Sequence, residues 1–287
     1  MAAESSNTEL QEWPQKDKRR FLRAVYHVGD LDRTIKFHTE ALGMKVLTKG
    51  DVPEEKYSHA VLGFGPQESQ FVLKLIHNYG VDSCEVGTDF GHFAIATPDV
   101  TKVAEDFRAK GGKILIEPTS FKIEDESFFI AFGKDPDGCS FEIIQRDSTP
   151  QPLCQVMLCV EDLERSINFY ERALGMKPLR RVTWPERKYA AALMGYGDKE
   201  DETTILELTY NYGAKKYIKG NAYSQVAIST EDVNKSGEVV KLVARELGGK
   251  ILPDQTNNKT ISFLDPDGWK TVLVDNEEYL KELQSGK

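Results

Sequence analysis

Hydrophobic and polar positions alternate along Leu22 to Val28 with the period of a strand, then take the longer period of a helix from Asp30 to about Ala41. Asp30 is the expected N-cap and Gly43 the expected stop. Two or three short strands follow, the fits being Lys45 to Thr48, Ser58 to Gly63 and Gln70 to Leu75, parted by turns at Pro53 and Pro66. The order then begins again. A strand from Gly91 to Ala96 and a helix from Asp99 to Lys110 precede strands at Gly112 to Ile116, Phe128 to Phe132 and Ser140 to Gln145. Asp135-Pro136-Asp137-Gly138 reads as the hairpin turn into the last of these. Half the chain thus predicts two βαβββ units.

The other half repeats it. The block that starts at Val25 (VYHVGDLDRTIKFHTEALGMKVL) recurs from Met157 (MLCVEDLERSINFYERALGMKPL), an offset of 132 residues. Lys56-Tyr57 returns as Lys188-Tyr189, Asn78-Tyr79-Gly80 as Asn211-Tyr212-Gly213, and the DPDG turn as Asp265-Pro266-Asp267-Gly268, with the offset staying between 130 and 133. A period this long with two copies predicts tandem domains rather than a solenoid. The expected class is α+β, with domains at 20–146 and 152–275 and a helical tail at 276–287.

Composition narrows the function classes. Hydrophobic content of 40% and charged content of 29% are globular values. A net charge of −9 argues against nucleic acid as a partner. No uncharged run of about 18 residues predicts a membrane span, and Met1 to Arg20 has no apolar core for a signal peptide. Cys84, Cys139, Cys154 and Cys159 form no CxxC pair, so reduced thiols and a cytoplasmic location are expected.

Four βαβββ units with DPDG turns before the last strand of the second and fourth resemble the vicinal oxygen chelate superfamily. RRFL, VGDLDRTIKF, LGMK, PEEKY, NYG, FGHFAIA, LCQVML, ILELTYNYG and KTVLVDN are more closely similar to plant two-domain glyoxalase I, the lactoylglutathione lyases, over roughly Arg19 to Leu283. The resemblance implies a cup between modules that holds one divalent ion, with Ni, Co, Mn, Zn and Mg all compatible. Carried over residue by residue, one composite site takes Gln155, Glu207, His92 and Glu142, all able to donate to a metal. Its mirror image takes Arg23, Lys74, Gln225 and Val272. Two cations and an alkyl group cannot ligate a dication, so this second site is expected to be degenerate.

Strand periodicity supports the first site independently. Glu207 points opposite Leu206 and Leu208, and Glu142 opposite Phe141 and Ile143. For either glutamate alone an exposed strand residue is the plainer reading, and for His92 alone a hydrogen-bonded one; four donors at four matching positions reverse it. His27, His38, His59 and His77 match no ligand position.

The implied chemistry is proton abstraction beside a carbonyl through an enediolate, with Glu142 as leading base and Glu207 as ligand or second base. The expected substrate is a small α-hydroxy or α-oxo carbonyl compound. Cys159 stands where the family carries an arginine that grips glutathione, Asn211 matches the family's glutathione-contacting asparagine, and Lys122 survives in a loop that has lost its glycines (Ser120 to Glu126). The corresponding stretch of the second domain, Leu252 to Lys259, is shortened. Glutathione as co-substrate is therefore open. One reading is a specialised paralogue that enolises another metabolite without glutathione, with aromatisation as an outcome; this is slightly preferred. The others are ordinary lactoylglutathione lyase and a non-catalytic small-molecule binding protein. Because duplication supplies the family's dimer interface internally, a monomer is expected.

Overall fold

The computed structural model of the protein describes residues 2–123, 126–214, 216–253 and 259–285. After an N-terminal helix, α1 (Ala2–Lys16), come four modules. The first comprises β1 (Phe21–His27), α2 (Leu31–Glu40), β2 (Lys45–Val52), β3 (Tyr57–Gly63) and β4 (Val72–Asn78). The second comprises β5 (Phe90–Thr97), α3 (Val100–Ala109), β6 (Lys113–Ile123), β7 (Glu126–Lys134) and β8 (Ser140–Gln145). The third comprises β9 (Leu153–Cys159), α4 (Leu163–Leu174), β10 (Lys177–Trp184), β11 (Tyr189–Gly195) and β12 (Ile205–Asn211). The fourth comprises β13 (Tyr223–Thr230), α5 (Val233–Leu247), β14 (Lys250–Ile251), β15 (Thr260–Leu264) and β16 (Lys270–Asp275), and α6 (Asn276–Ser285) closes the chain.

The sheets do not follow the repeat. One runs β10-β11-β12-β9-β5-β8-β7-β6 and the other β14-β15-β16-β13-β1-β4-β3-β2, so each takes one module from each half of the sequence. The joints are antiparallel pairs of first strands, β5 with β9 and β1 with β13. The module helices pack on the sheets around a shared core that includes Phe93, Phe107, Phe141, Phe169 and Phe263. Burying these aromatic side chains contributes a large share of the hydrophobic stabilisation.

All four module helices start the same way. Asp30, Asp99, Asp162 and Asp232 each accept a hydrogen bond from the backbone N–H three residues on, at 2.9 to 3.0 Å. The DPDG turns do more than reverse the chain. Asp137 accepts from Gly29 N and Arg33 in the first module, and Asp267 accepts from Glu161 N, Arg165 and Ser166 in the third. Asp135 likewise meets the buried His38 at 3.2 Å, and Asp265 accepts from Tyr170 at 2.8 Å. Each turn thus locks the helix start of the neighbouring module, and His38 is a packing residue.

Two stretches differ from the sequence expectation. α1 has no counterpart in the hydrophobic pattern because its large apolar residues, Leu10 and Trp13, are too few to set a period; Trp13 donates to Ser236 and packs under α5. Behind it the buried Asp17–Arg19 pair ties the entry strand to Ser236 and Thr230. The altered loop at Ser120 is a strand in the structure: β6 continues to Ile123 and pairs with β7 from Glu126. Glu124 and Asp125 lie outside the described residues, as does 254–258 of the shortened second-domain stretch.

Candidate active site

The four central strands of the first sheet, β12, β9, β5 and β8, each present one donor to a common space. Glu207 and His92 both pair across from Met157, while Ala94 is the partner of both Gln155 and Glu142. That register brings Gln155, Glu207, His92 and Glu142 together in the wall of one cavity of about 340 Å³. The residues between them point the other way, and Leu206, Leu208, Phe141 and Ile143 are fully buried in the core. This is the period-two alternation of a sheet with a polar face and a packed face.

His92 Nε2 lies 3.2 Å from Glu142 Oε2, 3.3 Å from Gln155 Nε2 and 3.9 Å from Glu207 Oε2. Donors about 2.1 Å from one ion lie about 3.0–3.4 Å from each other; the contacts of His92 with Glu142 and Gln155 fall in that range and its 3.9 Å distance to Glu207 is about half an ångström longer, a shift a side chain makes on closing around a divalent cation. Among the described residues no three His, Cys, Asp or Glu side chains close on a metal by themselves, so the Gln155 amide is needed to complete the set. As placed, that amide donates to Glu207 through Nε2; turning it over presents Oε1 to the ion.

The two carboxylates are held differently. Glu207 has both oxygens hydrogen-bonded, Oε1 by Thr209 at 2.9 Å and Oε2 by Gln155, whereas Glu142 leans on His92 through Oε2. Burial pushes the Glu207 carboxyl up, against the opposing pull of His92. At His92 burial works against the imidazolium, but the hydrogen bond and charge of Glu142, helped by Glu207, outweigh it and raise the ring above its ordinary range. Phe132 sets its ring edge-on to His92 at 5.3 Å, fixing the imidazole plane.

The expected substrate contacts divide. Asn211 lines the cavity, and its Nδ2 reaches Tyr217 Oη at 3.2 Å and Cys159 Sγ at 3.6 Å. Cys159, at the position of the family's glutathione-gripping arginine, is not in the lining; it lies buried against Asn211, with its thiol pushed up to about 12 by burial and then by the charges of Asp89 and Glu207. Lys122 does not belong to the lining. Its neighbours Phe121 and Ile123 do, so strand alternation turns the exposed Lys122 away.

The sequence reading missed four charged side chains in the lining, Arg146, Arg180, Arg187 and Glu200. One signal was available: Arg146 follows Glu142 by four residues, as Asn211 follows Glu207.

The mirror-image residues hold the same register in the second sheet. Val25 pairs with both Gln225 and Lys74, as Met157 does with His92 and Glu207, and Ala227 pairs with Val272 as Ala94 does with Glu142. Burial, and then the charge of Arg23, pushes the Lys74 ammonium down. No donor set for a cation exists there.

Comparison with known proteins agrees with this geometry. The family model Glyoxalase/Bleomycin resistance protein/Dioxygenase superfamily matches residues 20–143 and 153–273. The chain is 59% identical to a lactoylglutathione lyase of Arabidopsis thaliana, over 96% of this chain and 99% of that one. It is 60% identical to the lactoylglutathione lyase of Oryza sativa subsp. japonica, over 98% of each. The crystal structure of glyoxalase I from Zea mays aligns with a TM-score of 0.91 at 59% identity, covering 96% of this chain and 99% of that chain. Such relatives leave the non-catalytic reading without support. The chain belongs to this superfamily and, within it, to the two-domain glyoxalase I enzymes, the lactoylglutathione lyases, which are carbon–sulfur lyases.

Proposed function

We propose that the protein is a divalent-metal-dependent lactoylglutathione lyase, converting the hemithioacetal of methylglyoxal and glutathione into S-lactoylglutathione. The observation that supports this most is the convergence of Gln155, Glu207, His92 and Glu142 from four strands on one cavity, in a chain about 60% identical to lactoylglutathione lyases. Held by these four, a divalent ion supplies Lewis acidity for the oxygen charge that develops as a C–H bond beside a carbonyl breaks. Glu142, the less anchored carboxylate, takes that proton and returns it to the neighbouring carbon, so the reaction is an isomerisation that needs no oxidant. Glu207, anchored at Oε1 by Thr209, stays in place as a ligand. Ile144, Leu193 and Met157 in the lining exclude water from the proton in transit.

A specialised, glutathione-independent paralogue is the second reading. Cys159 favours it, since a neutral thiol behind Asn211 cannot grip a carboxylate, and so does the apolar lining of Phe121, Phe128 and Ile130. The relatives' names weigh for the ordinary lyase, so the slight preference for a specialised enzyme gives way. Methylglyoxal turnover with and without glutathione separates the two. The proposal expects activity that needs glutathione, is lost on chelation and returns with a divalent ion; equal turnover of an α-hydroxy carbonyl without glutathione would reject it. With the dimer interface supplied internally by duplication, the protein acts as a monomer. No helix among the described residues is long and apolar enough to cross a membrane.

A further inference from the structure

The second cup has a sign as well as a shape. Its floor comes from β1, β3, β4, β13 and β16, and apart from Asp275 at the end of β16 these five strands carry no Asp or Glu. At its centre stand two cations, Arg23 and Lys74, in a chain whose net charge is −9. The first cup holds glutamates at the positions that match Lys74 and Val272, so the two cups differ in charge and not only in the ability to ligate.

Arg23 and Lys74 are diagonal neighbours on adjacent parallel strands, since Arg23 pairs with Val72 and Val25 with Lys74, which sets their Cα atoms about 8 Å apart. Among the described residues neither meets a carboxylate at ion-pair distance. Glu282 and Glu55 act on Lys74 only from further off, while burial and then the charge of Arg23 push its ammonium down. The same ammonium, after burial, pushes the nearby His59 imidazole down. Like charges held together in a half-buried place without a counter-ion cost free energy that a bound anion offsets.

α6 fills the cup over β1, β13 and β16 and leaves one rim uncovered. Tyr279 is fully buried under the Arg23 guanidinium, 5.6 Å from its ring, and Leu283 packs on Leu22, Ala227, Val272 and Val274. Over β3 and β4 the rim is accessible: Lys74, Ile76 and His59 are half-buried and Asn78 is exposed.

We propose that this second cup is an anion site, in which the Arg23 guanidinium and the Lys74 ammonium, reached across the β3–β4 rim, take a dianionic phosphoryl group, as free phosphate or as a phosphate monoester. A phosphoryl group brings two charges and at least three acceptor oxygens, so it can bond the guanidinium fork and the ammonium together, which a single carboxylate spans less well. The site is independent of the reaction in the first cup.

Calorimetric titration of the metal-loaded full chain in Hepes at low salt, with inorganic phosphate in one arm and phenyl phosphate in the other, is expected to show one saturable site. Arg23→Gln or Lys74→Gln weakens binding about tenfold or more, the loss of one charge-assisted contact. Lys74→Arg retains most of it, and Lys241→Gln, which removes an exposed cation on α5, leaves it within about twofold. Turnover in the first cup, unchanged in all four variants, reports that the fold is intact. Either ranking of the probes supports the site: phenyl phosphate first assigns it to monoesters, phosphate first to the free ion. No saturable binding of either probe, an affinity unaltered in both the Arg23 and the Lys74 variants, or binding lost instead in Glu142→Gln overturns the proposal.

Discussion

The two cups of this protein share one backbone and have opposite contents. Strand pairings match residue for residue, yet Gln155, Glu207, His92 and Glu142 in one cup correspond to Arg23, Lys74, Gln225 and Val272 in the other. The first cup opens into a cavity. The second is filled by α6: Tyr279 is fully buried, with Arg20 and Arg23 stacked on its ring at 5.7 and 5.6 Å, and Leu283 packs against the group formed by Leu22, Ala227, Val272 and Val274. Cation–π contact with an aromatic face and apolar packing on Val272 replace what an ion would do. The difference teaches that sheet register is set by the scaffold, whereas chemistry is set by four side chains and by whatever covers them.

The largest expected effect tests which cup carries the chemistry. Glu142→Gln together with Glu207→Gln should remove the bound ion and lower turnover by about a thousandfold or more, read by elemental analysis and kinetics. Rebuilding the other cup as Arg23→Gln, Lys74→Glu, Gln225→His and Val272→Glu should leave about one ion per chain, because Tyr279 still occupies the space. A second ion in that variant would show that α6 is no barrier.

Next comes the plug itself. Tyr279→Ala removes a fully buried ring and should destabilise the protein by about 3 kcal/mol in urea melts, with kcat of the intact cup nearly unchanged. A loss of activity at unchanged stability would instead couple the two cups.

The smallest effect concerns the thiols. With its pKa pushed up to about 12, Cys159 is about 10⁻⁴ ionised at pH 8, so iodoacetamide should label the half-exposed Cys84 first and leave Cys159 untouched. Fast labelling of Cys159 would place it in the cavity wall after all.

Much of this was legible before any coordinates. The aspartate caps, the period-two alternation around Glu142 and Glu207 and the 132-residue repeat are local signals, and they placed the strands and grouped the four side chains that the structure brings to one cavity. Strand ends were less legible: β6 and β7 extend to Ile123 and from Glu126 because they pair with each other, a long-range choice that the missing glycines only permitted. The same hairpin explains why Lys122 faces outward. Arg146 and Glu200 were not legible because they lie 54 positions apart in sequence and reach the same cavity only through the fold.

The sequence by itself determined the duplicated scaffold, the residues able to bind a cation in one cup and the residues unable to do so in the other. These follow from residue type and from alternation along single strands. Only the tertiary structure decided that α6 seals the second cup, that Asn211 covers Cys159, and that Arg146 and Glu200 reach the lining of the first cup. Each depends on which distant surface an element packs against, and that choice is made by the burial of side chains from all four modules at once.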